Sequence, residues 1–156
     1  WVDAAFAVHD TMKSHTGMMI TLGKGAFYAS SKKQKLNTKS STEAELVGAG
    51  DSVGQAIWTA NFLKHQGYIV HENRFFQDNQ SAMKMEKNGR QSAGQRSRHI
   101  DIKYFFIKDR IASGEINLMY CSTDKMVADY FSKPLQGKAF KMFRDVALGH
   151  RHPDTV

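Results

Sequence analysis

Four acidic positions in this sequence could hold divalent cations if folding gathers them. Asp3 falls in the first predicted strand, Asp78 at the end of the fourth and Asp129 in the last predicted helical region. The fourth position is Glu43 or Glu45, both in the first turns of a long predicted helix. Carboxylate oxygens are hard ligands that select Mg²⁺ or Mn²⁺ over zinc. Two such ions about 3.5–4 Å apart can activate a water and stabilise the leaving oxygen of a phosphoryl transfer.

The sequence pattern alone does not choose between Glu43 and Glu45. Residues two positions apart lie about 200° apart around an α-helix, so both carboxylates cannot face one pair of metals. Asp78 has the most informative position of the acids, because ligand sites in α/β sheets gather at the carboxyl ends of strands. Asn79 and Gln80 follow it at a predicted helix start, where free backbone N–H groups favour phosphate.

Basic residues are concentrated in two stretches that contain no acid. Residues 11–42 include six lysines, and residues 87–99 include three arginines. The formal net charge is +7 and the pI is about 9.5, a balance that favours polyanionic partners. Either stretch alone could be a solvated basic face. Together with the acids, they indicate a metal nuclease, and the sequence contains no H-E-x-x-H or G-x-S-x-G motif and no phosphate-binding glycine loop.

Five segments that must position these residues are predicted to be strands. They are rich in aromatic and β-favouring residues and are bounded by glycine and polar turns. Gly23 and Gly25 predict a hairpin between the second and third strands, since glycine tolerates a positive φ. The predicted strands cover residues 1–7, 16–22, 26–31, 73–77 and 115–121.

Helices are predicted between and after these strands. Ser40, Ser41 and Thr42 offer N-cap oxygens to a long helix that Gly67 ends. A short helix is predicted over residues 80–87. A last helix should begin near Thr123 and break at Pro134, which removes a backbone donor, before a second piece over residues 135–148. One further helix carries an apolar stripe, which we expect to be core: Ile100, Tyr104, Ile107 and Ile111.

This order of elements predicts an α/β fold. We expect a five-stranded mixed sheet, antiparallel in its first three strands and flanked by helices. The 156 residues fit one domain over 1–148, followed by a flexible tail at 149–156. Cys121 is the only cysteine, which excludes an intramolecular disulfide and a thiolate metal cage. The absence of about 18 consecutive apolar residues argues against a membrane partner.

The sequence contains seven strings whose order is informative: VDAAFA from Val2, SHTG from Ser14, SSKKQ from Ser30, SSTEAELVGAG from Ser40, QDNQSAMKM from Gln77, SRHIDIKYFFIKDRI from Ser97 and GEINLMYCSTDKMVADYFSKPL from Gly114. They span residues 2–135. In this order they resemble the ribonuclease H domain of copia-type retrotransposon polyproteins.

The resemblance implies a ribonuclease H-like fold and an endonuclease that hydrolyses the RNA strand of RNA–DNA hybrids during reverse transcription. It implies a cofactor of two Mg²⁺ ions, for which Mn²⁺ can substitute. Carried over position by position, the catalytic and metal-binding residues are Asp3, Glu45, Asp78 and Asp129, so the resemblance selects Glu45 over Glu43. The implied partners are the hybrid and the reverse transcriptase domain of the same polyprotein.

Further expectations concern binding and location. Selectivity for RNA must come from contacts to 2′-hydroxyls, and basic side chains would follow the phosphates. We expect an isolated domain to be monomeric and the site of action to be intracellular, in a cytoplasmic retroelement particle. The residues expected to contact nucleic acid are Lys32, Lys33, Lys35, Lys39, Ser41, Thr42, Asn79, Gln80, Arg90, Arg96 and Arg98.

One departure and two alternatives accompany this interpretation. Many ribonucleases H carry a histidine in the loop before the last helix, whereas residues 121–125 contain none and His99 is the nearest substitute. The first alternative is a non-catalytic nucleic-acid-binding domain of the same fold that braces a polymerase. The second is a nuclease or transposase of this fold that acts on DNA.

Overall fold

The computed structural model describes residues 1–88 and 98–156, and five strands lie in these ranges. Each overlaps a segment where the sequence predicts a strand. The strands are β1 Val2–Ala5, β2 His15–Ile20, β3 Tyr28–Lys33, β4 Arg74–Gln77 and β5 Asn117–Tyr120. Gly23 and Gly25, with φ of 127° and 75°, form the predicted turn between β2 and β3.

Five α-helices lie in the same ranges, together with two 3-10 turns. The α-helices are α1 Ser41–His65, α2 Gln80–Asn88, α3 Arg98–Ala112, α4 Asp129–Ser132 and α5 Gly137–Ala147. The 3-10 turns cover Thr123–Lys125 and Pro153–Thr155. The predicted α/β class is confirmed. None of the helices in the described part of the chain is both long and apolar enough to cross a membrane.

Backbone hydrogen bonds divide the strands into two sheets rather than the single five-stranded sheet that the sequence predicts. β1, β2 and β3 form an antiparallel sheet, as expected, in which Asp3 is opposite Gly17. β4 and β5 form a parallel pair. β1 lies beside β4. At this seam the rings of Trp1 and Phe76 stack with centroids 4.7 Å apart, so the contact is made by side-chain packing.

The first turn of α1 is held by reciprocal side-chain bonds. Ser40 Oγ accepts a hydrogen bond from the backbone N–H of Glu43 at 3.2 Å. Glu43 Oε2 in turn accepts one from the backbone N–H of Lys39 at 2.7 Å. This is the logic of a capping box, which satisfies donors that a helix start leaves free. Gly67, with φ of 87°, follows the end of α1 as predicted.

The main core forms where α1 and α3 pack behind the strands. Its buried side chains include Val53, Phe75, Ile107, Ile116 and Leu118. In the predicted stripe of α3, Tyr104 and Ile107 are buried and Ile111 is partly buried, as expected for core. The side chain of Ile100 lies outside the described residues.

The region before Pro134 is not one helix from Thr123, so that prediction is wrong. The 3-10 turn ends at Lys125, and Met126 has a non-helical ψ of 84°. Met126, Val127 and Ala128 are fully buried, so the chain turns inward to pack before α4 begins. Burial of these three apolar side chains is favourable and outweighs the regular helical pattern. α4 then ends before Pro134, as predicted.

The last residues pack against the rest of the chain. Pro153 is buried, and Val156 contacts the cluster formed by Met19, Val127, Phe143 and Val146. His152 Nδ1 accepts a hydrogen bond from the backbone N–H of Asp154 at 3.2 Å. The division into a domain over 1–148 and a flexible tail over 149–156 stays a prediction.

Candidate metal centre

Three of the predicted acids meet at one place in the fold. Asp3 lies in β1, Glu45 in the second turn of α1, and Asp78 directly after β4. One carboxylate oxygen from each lies within 4.8 Å of those of the other two. We call these three residues the carboxylate cluster. The adjacency of β1 and β4 accounts for Asp3 and Asp78, and the packing of α1 across β1 brings Glu45 to them.

Gly48 explains how closely α1 approaches the sheet. It lies three residues after Glu45, on the same face of the helix. A Cβ at this position would come within 3.3 Å of the Thr16 side chain and 3.5 Å of Ala4 Cβ. The face of α1 that carries Glu45 therefore lies directly on β1 and β2.

Glu45 is buried with one satisfied oxygen and one unsatisfied oxygen. Its Oε1 accepts a hydrogen bond from the backbone N–H of Ala4 at 3.2 Å. Its Oε2 is buried and has no hydrogen-bond partner among the described residues. Burial, and then the charges of Asp3 and Asp78, raise the pKa of Glu45 to about 9. A buried, unpartnered carboxylate oxygen beside two other acids is where a cation would be stabilised.

Glu43, the alternative to Glu45, lies outside the cluster. It caps the start of α1 through Lys39 and Ser40, as described above. Glu43 and Glu45 therefore lie on different faces of α1, and only Glu45 faces the cluster. The residue pattern alone had left open which of the two does so.

Asp129 lies beside the cluster and is linked to it through Asp3. It is buried at the start of α4. Burial first, and then the charge of Asp3, raise the pKa of Asp129 to about 6. The Nζ of Lys133, one helical turn later, donates to Asp129 Oδ1 at 2.8 Å and to Asp3 Oδ1 at 3.3 Å. Ser132 Oγ donates to the other oxygen of Asp3.

Ser132 and Lys133 were missed by the sequence analysis. The signal that could have found Lys133 is its spacing, because a residue four positions after Asp129 lies on the same side of a helix. Ser132 offers no such signal, since its partner Asp3 is 129 residues away.

Gly17 allows α4 to reach the cluster, and the sequence analysis did not single it out. It is the partner of Asp3 in the β1–β2 ladder. A Cβ at Gly17 would lie 2.5 Å from Ala128 O and 2.7 Å from Ser132 N, and both atoms belong to the backbone. Only a residue without a side chain fits, so Gly17 places α4 directly over Asp3.

Asp78 is held from the loop that precedes α4. Thr123 Oγ1 donates a hydrogen bond to Asp78 Oδ2 at 2.9 Å. This loop includes residues 121–125, which contain no histidine. In the present chain, a hydroxyl from that loop contacts the cluster.

The residues expected to contact nucleic acid are mostly at the surface where they are described. Asn79 has a structural partner, because its Oδ1 accepts a hydrogen bond from the backbone N–H of Ala82 at 3.0 Å and caps α2. Thr42 is half-buried. Arg90, Arg96 and the side chains of Arg98 and His99 lie outside the described residues. The exposed ones are Lys32, Lys33, Lys35, Lys39, Ser41 and Gln80.

The donor set fits a hard divalent cation. It consists of carboxylate oxygens, one of them buried and unpartnered, which suits Mg²⁺ or Mn²⁺. The fold and the centre together define an α/β domain with a three-carboxylate candidate metal centre and a fourth acid beside it.

Comparison with known proteins identifies relatives for most of the chain. It is 31% identical over 141 residues to the retrovirus-related Pol polyprotein from transposon TNT 1-94 of Nicotiana tabacum, which covers 90% of the chain. It is 32% identical over 135 residues to that from transposon RE2 of Arabidopsis thaliana, which covers 86% of the chain. The transposon Ty1-NL2 Gag-Pol polyprotein of Saccharomyces cerevisiae is 26% identical over 144 residues, again 90% of the chain.

These matches cover 10%, 9% and 8% of the three polyproteins, so the chain spans about a tenth of the length of the curated relatives it matches. Its homologues are therefore retrotransposon Pol polyproteins, which confirms that part of the predicted resemblance. No family model and no solved structure matches the chain.

Proposed function

We propose that this chain is a ribonuclease H domain that hydrolyses the RNA strand of RNA–DNA hybrids during retroelement reverse transcription. The observation that carries the proposal is the meeting of Asp3, Glu45 and Asp78 in one cluster, with Asp129 beside it. The strand arrangement also supports a ribonuclease H-like fold, because the antiparallel sheet β1–β3 lies edge to edge with the parallel pair β4–β5.

The residues that would hold two Mg²⁺ ions are Asp3, Glu45, Asp78 and Asp129. When bound, such ions lower the pKa of an attacking water and stabilise the departing 3′ oxygen of the cleaved strand. The backbone N–H of Ala4 orients Glu45, and the hydroxyl of Thr123 orients Asp78. Such contacts around ligands fix their orientation and raise the precision of the site.

Recognition of the hybrid would come from the surface around the cluster. Ser41, Thr42, Asn79 and Gln80 stand at the starts of α1 and α2, next to Glu45 and Asp78 in the sequence. Their polar groups could donate hydrogen bonds to 2′-hydroxyls or accept hydrogen bonds from them. These hydroxyls distinguish RNA from DNA. The exposed lysines of residues 32–39 would follow phosphates, so affinity should fall steeply with salt.

The relatives support the biological setting. Their names describe Pol polyproteins of transposons, and the chain matches about a tenth of each. We propose that the chain works beside the reverse transcriptase domain of such a polyprotein, within a cytoplasmic particle.

A cleavage assay with three substrates tests the proposal. RNA–DNA hybrid, duplex DNA and duplex RNA are each incubated with the protein in Mg²⁺, in Mn²⁺ and in EDTA. We expect cleavage of the RNA strand of the hybrid alone, and only with a metal. Cleavage of duplex DNA would favour the DNA-directed nuclease instead.

The variant Asp78→Asn tests the assignment of the site. It keeps the size of the side chain and removes the charge, so we expect cleavage to fall by at least about 100-fold, as for loss of a metal ligand or its support. Hybrid affinity should stay nearly unchanged, because basic residues supply the phosphate contacts. Asp10→Asn, at an exposed acid of the β1–β2 loop, is the matched control. Full activity in Asp78→Asn would remove Asp78 from the site.

A second candidate is the non-catalytic nucleic-acid-binding domain that braces a polymerase. The observation that favours it is the contact of Lys133 with both Asp3 and Asp129, which neutralises part of the acidic charge without any metal. Binding of hybrid with no cleavage in Mg²⁺ or Mn²⁺ would support this candidate.

A further inference from the structure

The four acids at and beside the cluster differ in whether they contact Lys133. On one side, Glu45 has a buried oxygen without a partner among the described residues, and Asp78 is partly exposed. On the other side, both oxygens of Asp3 accept hydrogen bonds, one from Ser132 at the end of α4 and one from Lys133 directly after it. Asp129 also receives its ion pair from Lys133.

We propose that the ammonium group of Lys133 is a built-in counter-ion that occupies the space between Asp3 and Asp129 and must be displaced when a divalent cation binds there. The inference rests on the proposed function, because it takes Asp3 and Asp129 as metal ligands. It adds a regulatory feature to that site: the Glu45 and Asp78 side is open to a first cation, while the Asp129 side already holds a positive charge.

The geometry allows this displacement. The Lys133 side chain is 34% exposed, whereas those of Asp3 and Asp129 are 2% and 8% exposed. A lysine has a flexible four-carbon stem and a compact charge that can move into water while its backbone stays in place. The buried acids have no such freedom, so the lysine is the group that moves.

The same contacts also explain how a metal-free protein tolerates its acids. Repulsion among buried carboxylates destabilises the fold unless a cation is near. Lys133 supplies that cation at 2.8 Å from Asp129 and 3.3 Å from Asp3. Metal affinity and metal-free stability should therefore change in opposite directions when Lys133 is neutralised.

The test measures metal binding directly and does not depend on cleavage. Mg²⁺ and Mn²⁺ are titrated calorimetrically into the wild-type chain, Lys133→Met and Lys133→Gln, with Lys138→Met, at an exposed lysine of α5, as matched control. We expect the weaker metal site to tighten by about tenfold in both Lys133 variants, the size of one charge-assisted hydrogen bond. Their melting temperature in EDTA should fall, and Lys138→Met should behave as wild type.

The outcomes separate this inference from the proposed function. Unchanged or weaker metal binding in folded Lys133 variants overturns the inference and leaves the nuclease proposal standing. If the wild type binds no metal but a Lys133 variant does, the inference is supported and the wild-type nuclease proposal fails. If neither binds metal, both fail, and Lys133 is a structural ion pair only.

A measurement on the wild-type chain covers the case in which the variants do not fold. Lysine carrying carbon-13 at Cε is incorporated, and the signal of Lys133 is followed by nuclear magnetic resonance as Mg²⁺ is added. It can be assigned by its proximity to the buried protons of Ser132 and Asp129. A shift to the position of the exposed lysines supports displacement, and a signal that stays constant while metal binds overturns it.

Discussion

Burial raises the pKa values of two glutamates, Glu45 and Glu86, but different groups face their carboxylates. Glu86 of α2 is fully buried, and burial raises its pKa to about 8. The amide of Gln77, oriented with its nitrogen towards Glu86, donates to the two carboxylate oxygens at 3.1 and 2.9 Å. Burial also comes first for Glu45, but the charges of Asp3 and Asp78 add to it, and together they raise its pKa to about 9.

Comparing Glu86 with Glu45 shows that a buried acid with a raised pKa is not by itself evidence of a metal site. Glu86 has a neutral polar partner, so it is a satisfied acid of the interior. Glu45 has one unpartnered oxygen and two acidic neighbours, so its environment is stabilised only by a proton or a cation. Gln77 is the last residue of β4, and Asp78 follows it directly. The end of β4 therefore contributes to both places, because Gln77 bonds to Glu86 and Asp78 lies in the candidate metal centre.

The largest expected difference between the two glutamates is in activity. Glu45→Gln should lower hybrid cleavage by at least about 100-fold, because it removes a ligand charge from the centre. Glu86→Gln keeps a neutral, hydrogen-bonding side chain, so cleavage should stay close to that of the wild type. Initial rates on the hybrid in Mg²⁺ measure both. Equal losses of cleavage in the two variants would show that Glu45 is no more part of an active site than Glu86.

The next difference is in how stability depends on pH. Both glutamates bind protons more tightly in the folded chain than in the unfolded chain, so the metal-free free energy of unfolding should fall as pH rises. The window runs from about 4.5 to about 8 for Glu86 and to about 9 for Glu45. Each can contribute a slope of up to about 1.4 kcal/mol per pH unit.

Asp129 adds a slope of the same sign between about 3.8 and 6. Urea unfolding in EDTA, from pH 5 to 9, measures the whole effect. Saturating Mg²⁺ should flatten the parts that depend on Glu45 and Asp129, whereas Glu86→Gln should remove the part that depends on Glu86. A metal-free stability that rises with pH across this range would contradict both assignments.

The smallest of the three effects concerns the support that α4 gives to the candidate metal centre, which Glu86 does not share. Gly17→Ala places a Cβ against the backbone of Ala128 and Ser132, so we expect a loss of about 2 kcal/mol in the free energy of unfolding. α4 should move away from Asp3 and weaken metal binding. Gly54→Ala is the control, because a Cβ there meets open space on α1. Denaturant unfolding and metal titration measure the two consequences, and tight metal binding in a destabilised Gly17→Ala would separate α4 from the site.

Much of the local structure could be predicted from the sequence. The strands β1–β5, the Gly23–Gly25 turn and the Ser40 cap of α1 all follow from residue types and spacing over a few positions. The prediction of a helix from Thr123 was wrong because a long-range contact decides the structure there. Burial of residues 126–128 against the sheet, which is a long-range contact, outweighed the local helical pattern.

The acids of the candidate metal centre could be predicted from the sequence and its resemblance, but the residues that support them could not. The resemblance predicts Asp3, Glu45, Asp78 and Asp129. Three of them meet at the centre, and the fourth lies beside it. Their catalytic role stays a prediction. The partners on α4 could not be found, because the bonds of Asp3 to Ser132 and Lys133 span 129 and 130 residues.

By itself, the sequence determined which residue types are present and which short segments form strands, turns and helices, because those preferences act between near neighbours. The tertiary structure alone decided that a glycine on β2 admits α4 and that a lysine ammonium lies among buried carboxylates. The residue pattern left Glu43 and Glu45 open and the resemblance favoured Glu45, which the structure places beside Asp3 and Asp78. Those outcomes depend on which faces pack together, and packing joins atoms that are far apart along the chain.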